Sequence, residues 1–321
     1  MKTTRRSALA GMAALAAAPR AFAEAAFPDK PIKIVVPFAP GSATDITARG
    51  LGGKLQEILK QPIIVDDKPG ASGQLGASAV ATAAGDGYTL LMGTNSTNAA
   101  NTALFKKLSY DPDKDFAPIM RCITGVNALV VNNDLPIKTV AELIDYAKTN
   151  PGKLNYSEAS ASQRVSAEMF NQLAGVKIER VPYKASPQAL GDVASGQVQV
   201  MFPDLPQALS QIEAGRVRGL GVTGPTRTPV APDLPAIAET VPGYSLVYWL
   251  AVFAPANTPQ PIQKALADAI GEAMKDPATA KAMTQGRMDI APLALTEFAA
   301  YVKKETDWWA RAIQAAGIEP E

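Results

Sequence analysis

The chain has 321 residues, a formal charge of +1, no histidine and one cysteine. The missing imidazole excludes Ser-His-Asp triads, Cys-His pairs, HExxH zinc sites and histidine general bases. Scattered charge with no basic stripe excludes the electrostatic footprint of nucleic-acid binding, and a lone Cys122 excludes an internal disulfide.

Residues 1–23 read as a secretory signal peptide. Lys2, Arg5 and Arg6 form a basic start, Ala8 to Ala18 an apolar run too short to span a bilayer, and Ala21-Phe22-Ala23 a small-x-small cleavage site. Arg5-Arg6 leaves twin-arginine and ordinary Sec export both open. Removing the four basic residues of this segment from the formal +1 leaves about −3 for the exported protein, with the periplasm as its expected location. No later stretch is long and apolar enough to cross a membrane.

Ile32–Val36 reads as a buried strand, stopped by Pro37, Pro40 and Gly41. Ser42, Thr44 and Asp45 are good N-cap residues, and an amphipathic pattern follows to about Lys60. A helix start of this kind leaves backbone N–H groups unpaired and carries partial positive charge, so it can hold an anion. Ile63–Val65 is a second strand, and Ala71-Ser72-Gly73 leads into a helix to about Ala84. Thr89–Met92 is a third strand, ending in the polar loop Gly93–Asn98 before a helical stretch at Ala99–Phe105. Loops at the carboxyl ends of neighbouring strands in an open sheet converge on one crevice, which brings Ser42–Asp45 and Thr94–Ser96 toward one ligand.

Ile119–Cys122 and Leu129–Val131 read as extended segments around Gly125, a first crossing between domains, with Cys122 a small buried hydrophobe. Thr139–Glu142 is a capping box for a helix to Lys148. Leu154–Tyr156 is a short strand, followed by the hydroxyl-rich run Ser157–Ser162 and a helix at Arg164–Leu173. Ile178–Val181 and Val198–Phe202 read as strands, Ser186–Ala194 and Leu205–Ala214 as helices, and Gly219–Val222 as extended. Ser245–Phe253 is a long apolar strand and a second crossing. Helices follow at Pro261–Met274, Ala278–Gln285 and Thr296–Ala316, the last capped by Thr296 and stopped by Gly317, with Trp308 and Trp309 packing it on the first domain. The alternation predicts an α/β protein with mostly parallel sheets and two lobes joined by a two-strand hinge. Lobe 1 would comprise 24–124 plus 251–321, and lobe 2 would comprise 125–250.

In this order, Phe27-Pro28-Asp29-Lys30-Pro31, Pro37–Asp45, Gly70-Ala71-Ser72-Gly73, Asp86–Leu91, Tyr110-Asp111-Pro112, Asn150–Tyr156, Val181–Lys184 and Ala315–Ile318 resemble the Bug family. These are the extracytoplasmic solute receptors of tripartite tricarboxylate transport systems. The resemblance implies a two-lobed periplasmic binding protein of type II. It would be a monomer without cofactor or metal, closing on a small organic acid and delivering it to large and small membrane permease subunits. The ligand would be a di- or tricarboxylate, an acidic amino acid or an aromatic acid. Carried over by position, Phe38, Ser42, Ala43, Thr44 and Asp45 lie in the first-lobe site with Thr94 and Asn95, and Ser157, Ser160 and Asp204 face them from the second lobe. The chain departs from the family pattern at Ser42, where a second glycine is usual, and at Ala185. It also departs in the segment from Tyr156 to Glu168, which lacks the usual histidine, is about two residues shorter and gains Glu158. An inward Glu158 would select an amine, amide or hydroxyl at the ligand's far end. Two alternatives stand beside the transport receptor. One is a sensor subunit for a signalling kinase. The other is an enzyme using Ser42 or Ser157, which would need a base such as Lys184 and lacks an SxxK motif to supply it; the residues favour a binding protein, not an enzyme.

Overall fold

The apolar runs become strands covered on both faces. In the computed structural model, which describes residues 27–321, Ile32–Val36 forms β1, with Ile32, Ile34 and Val36 packed on one face and Val35 on the other. The expected signal peptide lies outside the described residues. The chain continues through α1 (Ala43–Leu59), β2 (Ile63–Asp67), α2 (Gln74–Ala81), β3 (Thr89–Thr94), α3 (Asn101–Leu104), β4 (Phe116–Gly125) and β5 (Ala128–Asn132). Next come α4 (Val140–Thr149), β6 (Asn155–Glu158), α5 (Ala161–Ala174), β7 (Glu179–Pro182), α6 (Ser186–Ala194), β8 (Val200–Met201), α7 (Leu205–Glu213) and β9 (Val217–Val222). It ends with β10 (Tyr248–Pro255), α8 (Gln260–Lys275), α9 (Pro277–Thr284), β11 (Asp289–Ala294) and α10 (Leu295–Ala315).

Two sheets result, ordered β11-β4-β10-β3-β1-β2 and β7-β6-β8-β5-β9. Helices cover both faces of each. On the first sheet, α1, α8 and α9 pack on one side and α2, α3 and α10 on the other; on the second, α4 and α5 oppose α6 and α7. Burial on both faces is why the strands read as continuous apolar runs rather than alternating ones. In β5, Leu129 and Val131 face one core while Ala128 and Val130 face the other.

The sheets are mixed, not mostly parallel. Only β1 with β2 and β3, and β6 with β7 and β8, pair parallel. The chain leaves the first sheet at the end of β4 and re-enters it at the start of β10, so these two neighbours must run in opposite senses. The same argument makes β5 antiparallel to β9 in the second sheet. Antiparallel pairing of β3 with β10 sets Thr94 opposite Leu250, so the carboxyl ends of β1 and β3 lie at the end facing the second sheet.

Most elements fall where the patterns put them, with two corrections near the C-terminus. Strand β11 was not expected; it is a half-exposed edge strand containing Pro292, which an edge tolerates and an interior strand does not. It runs directly into α10, whose cap position is Ala294 rather than Thr296. Trp309 is fully buried, and Glu305, the polar interruption in the apolar stripe, accepts hydrogen bonds from the indole N–H groups of Trp249 (2.9 Å) and Trp309 (3.3 Å).

Candidate functional site

The first wall of the site is the turn from β1 into α1. Gly41 takes φ +80°, a conformation that favours glycine, and releases the chain into the helix. Ser42, extended at φ −71° and ψ 160°, caps α1 by accepting from the Asp45 N–H at 3.3 Å. Asp45 points back beneath the loop: its Oδ2 accepts from the Gly41 N–H at 2.8 Å and its Oδ1 pairs with Arg49 Nε at 2.5 Å. Arg49 also bridges to Asp67. Burial, then the adjacent Asp45 charge, push the Asp67 carboxyl above the ordinary range, with Arg49 opposing.

The second wall follows β3. Thr94 Oγ1 accepts from the backbone N–H of Ser96 (3.0 Å) and Thr97 (3.4 Å), while the Thr94 N–H donates to Thr97 Oγ1 (3.0 Å). This knot turns Asn95 toward the gap between the sheets, where its Nδ2 is buried without a partner.

The second sheet supplies the facing wall. Ser160 caps α5 by accepting from the Gln163 N–H at 3.4 Å, and its hydroxyl lies 3.1 Å from that of Ser162. Gln163 Nε2 donates to Ser186 Oγ (3.0 Å), Ser186 donates to Gln207 Oε1 (2.8 Å), and Gln207 Nε2 donates to the Gly41 carbonyl (3.0 Å). This chain of hydrogen bonds joins the second-sheet helices to the loop that opens α1.

Between the walls lies a narrow cavity of about 30 Å³, partly open to solvent. Phe38, Ser42, Thr44, Thr94, Asn95, Ser160 and Asp204, all expected at a site, line it together. Ala43, Asp45, Ser157 and Glu158 do not. The Ala43 backbone N–H lies near the Asp204 carboxyl and favours its charged form. Ser157 is fully buried with its hydroxyl toward the Ala189 carbonyl (3.4 Å). Glu158 turns away from the cavity onto Arg180, at 2.9 Å from Nε and 2.7 Å from Nη2, so it is not placed to select the far end of a ligand. The cause is positional: both residues still belong to β6, and the loop that reaches the cavity begins only at Ala159.

Ser96, expected with Thr94 and Asn95, also lines the cavity, while sequence reading missed Ser162, Gln163, Lys184, Ser186 and Tyr248 as lining residues. Ser162 and Ser186 lie in the first turns of α5 and α6, and Lys184 just ahead of α6, a usable signal. Tyr248 sits in an apolar strand and gave none.

The cavity gathers the starts of four helices, α1, α5, α6 and α7, at Thr44, Ser162, Ser186 and Asp204. Among the lining residues Lys184 is the one cation and Asp204 the one acid. Burial pushes the Asp204 carboxyl up to about 6, with the Ala43 N–H opposing. Burial and the nearby Asp204 hold the Tyr248 phenol well above its ordinary range, so it stays a neutral donor. Clustered helix starts and hydroxyls favour an anion through backbone dipoles rather than through a salt bridge. Among the described residues no group of His, Cys, Asp and Glu is placed to hold a metal, and no helix is long and apolar enough to cross a membrane.

Residues 47–318 match the tripartite tricarboxylate transporter family receptor. Protein BugT of Bordetella pertussis is 32% identical, covering 91% of both chains. Among solved structures, Rpa4515 of R. palustris with adipate superposes with a TM-score of 0.89 at 34% identity, covering 92% of this chain and 100% of that one. MatC (Rpa3494) from Rhodopseudomonas palustris with bound malate gives 0.84 at 32% identity, covering 89% of this chain and 100% of the other.

Proposed function

The chain belongs to the tripartite tricarboxylate transporter receptor family of periplasmic solute-binding proteins, and we propose that it captures a small carboxylate by closure of two lobes and hands it to the membrane subunits of such a transporter. The two lobes follow the expected division, 24–124 plus 251–321 for lobe 1 and 125–250 for lobe 2, except that Gly125 at the end of β4 and Tyr248–Leu250 at the start of β10 lie in the first sheet and go with lobe 1. The exported protein acts as a monomer, without cofactor, and as a receptor rather than an enzyme.

The observation that carries this reading is the convergence of four helix starts with the hydroxyls of Ser42, Thr44, Ser160 and Ser162 on one inter-sheet cavity. A carboxylate at a helix start gains about 0.3–1 kcal/mol when exposed and up to ~2 when partly buried. Micromolar affinity needs about −8 kcal/mol, so one helix start is insufficient and several must act with hydroxyl donors. Phe38, Ala39 and Leu250 supply apolar contact for the ligand's carbon skeleton. The hydrogen bond from Gln207 to the Gly41 carbonyl joins the two walls directly.

Titration calorimetry of the exported chain against mono-, di- and tricarboxylates and aromatic acids tests the proposal. A carboxylate should bind, and the double variant Thr44→Val with Ser160→Ala, one residue from each wall, should weaken it by about 100-fold through two lost hydrogen bonds to a charged group. A protein that binds neutral or cationic solutes and ignores all carboxylates would overturn it.

A further inference from the structure

Three polar groups in the cavity have bonding capacity that the protein leaves unused. Asn95 Nδ2 and Tyr248 Oη are buried in the wall with no hydrogen-bond partner, in side chains only 1% and 2% exposed. Buried donors in folded proteins are nearly always satisfied, and an exception calls for a missing partner. Asn95 Nδ2 can only donate, and the Tyr248 hydroxyl can donate as well as accept, so one acceptor group serves both. The Tyr248 ring packs closely on Gly125, where a Cβ would meet Oη at 2.5 Å.

Asp204 is the complementary group. It occupies the cap position of α7, where aspartate normally accepts from its own helix, yet its side chain makes no capping bond. Instead it lines the cavity, with the Ala43 N–H of the opposite wall close enough to favour its charged form. A carboxylate offers about four lone-pair sites, so capacity remains for a donor. Its carboxyl, at about 6, is ionised at pH 8. It lines the same narrow cavity as Tyr248 and Asn95. An acceptor-seeking pair and a donor-seeking carboxylate therefore share one corner.

We infer that this corner selects a carboxylate with a hydrogen-bond donor on the adjacent carbon, a 2-hydroxy or 2-amino acid, with Tyr248 and Asn95 donating to the carboxylate oxygens and Asp204 accepting from the hydroxyl or ammonium. The inference rests on the carboxylate reading of the site and narrows it. A plain carboxylate in the same corner would leave Asp204 without a donor and set two negative charges together. Lys184 and the α1 and α5 helix starts remain free for the rest of the ligand.

The experiment is calorimetry at pH 8 with matched pairs that differ only at the carbon next to the carboxylate: succinate with malate and aspartate, adipate with 2-hydroxyadipate, phenylacetate with mandelate. At least one substituted acid should bind about tenfold or more tightly than its unsubstituted partner. Malate and aspartate then tell a hydroxyl from an ammonium. Asp204→Ala should erase the preference, bringing the substituted and plain members of each pair to similar affinity, with the plain acid gaining from removal of the opposed charge. Asp204→Asn keeps the shape and an acceptor oxygen, so it should lose preference for the amino acid first. Tyr248→Phe should weaken both members of a pair alike. Thermal melts confirm that each variant is folded. Equal or tighter binding of the unsubstituted acids by the wild type, or a preference that survives Asp204→Ala, overturns the inference and leaves the carboxylate reading intact. Failure of every acid to bind overturns that reading itself.

Discussion

Replacing Asp45 by alanine separates a residue that shapes the site from one that touches ligand. Its carboxylate accepts from the Gly41 N–H at 2.8 Å, pairs with Arg49 Nε at 2.5 Å and places a negative charge in the first turn of α1. A hydrogen bond to a charged group contributes about 1.5–3 kcal/mol, but Gly41 is exposed and water partly replaces the lost acceptor. The Arg49 side chain is 52% exposed, so that pair adds under about 1 kcal/mol. The charge at the helix start adds roughly 0.3–1 kcal/mol. Against these, Asp67 loses a like-charged neighbour. The net expectation is a loss of about 2 kcal/mol in urea unfolding, after discounting the exposed contributions. Carboxylate affinity should fall about tenfold, because Ala39 and Ser42 line the cavity on a loop that Asp45 holds. A change in stability under about 0.5 kcal/mol would refute the bracing role. Unchanged stability with a large loss of affinity would show that Asp45 meets the ligand directly.

Gly125→Ala should cost about 1–3 kcal/mol and weaken ligand binding, since the new Cβ would lie 2.5 Å from Tyr248 Oη; a melt and titration equal to wild type would contradict that packing. Asp67 binds its proton more tightly folded than unfolded, so stability should fall as pH rises from the ordinary carboxylate range through its raised value, then level off. Asp67→Asn, measured by urea unfolding across that range, should remove this slope, and a slope that persists would assign it to another group. Burial pushes the Cys122 thiol up to about 12, so a thiol reagent at pH 8 should label the native protein at a small fraction of the rate seen in denaturant. Rapid native labelling would refute its burial.

The chain's own order of residues determined the elements and much of the first wall. A strand that is apolar on both faces, stopped by Pro37, Pro40 and Gly41 and followed by Ser42, leaves little choice but strand, turn and capped helix. The same local logic placed Thr94, Asn95 and Ser160, since capping and turn chemistry act over three or four residues. Tertiary structure decided which loops meet and which way each side chain points. Mixed pairing arose because strands that enter and leave a sheet at one end must oppose each other, a constraint between residues more than a hundred positions apart. Strand alternation and the end of β6 turned Glu158 onto Arg180 and began the useful loop at Ala159, a shift of one or two residues that no pattern reports. Tyr248 reads as one more apolar position until β10 is set beside β3 and β4, when its hydroxyl proves to be an unpaired donor in the cavity wall. Local sequence fixes backbone conformation because the energies involved are local. A cavity is a property of surfaces brought together from distant segments, and it exists only once they pack.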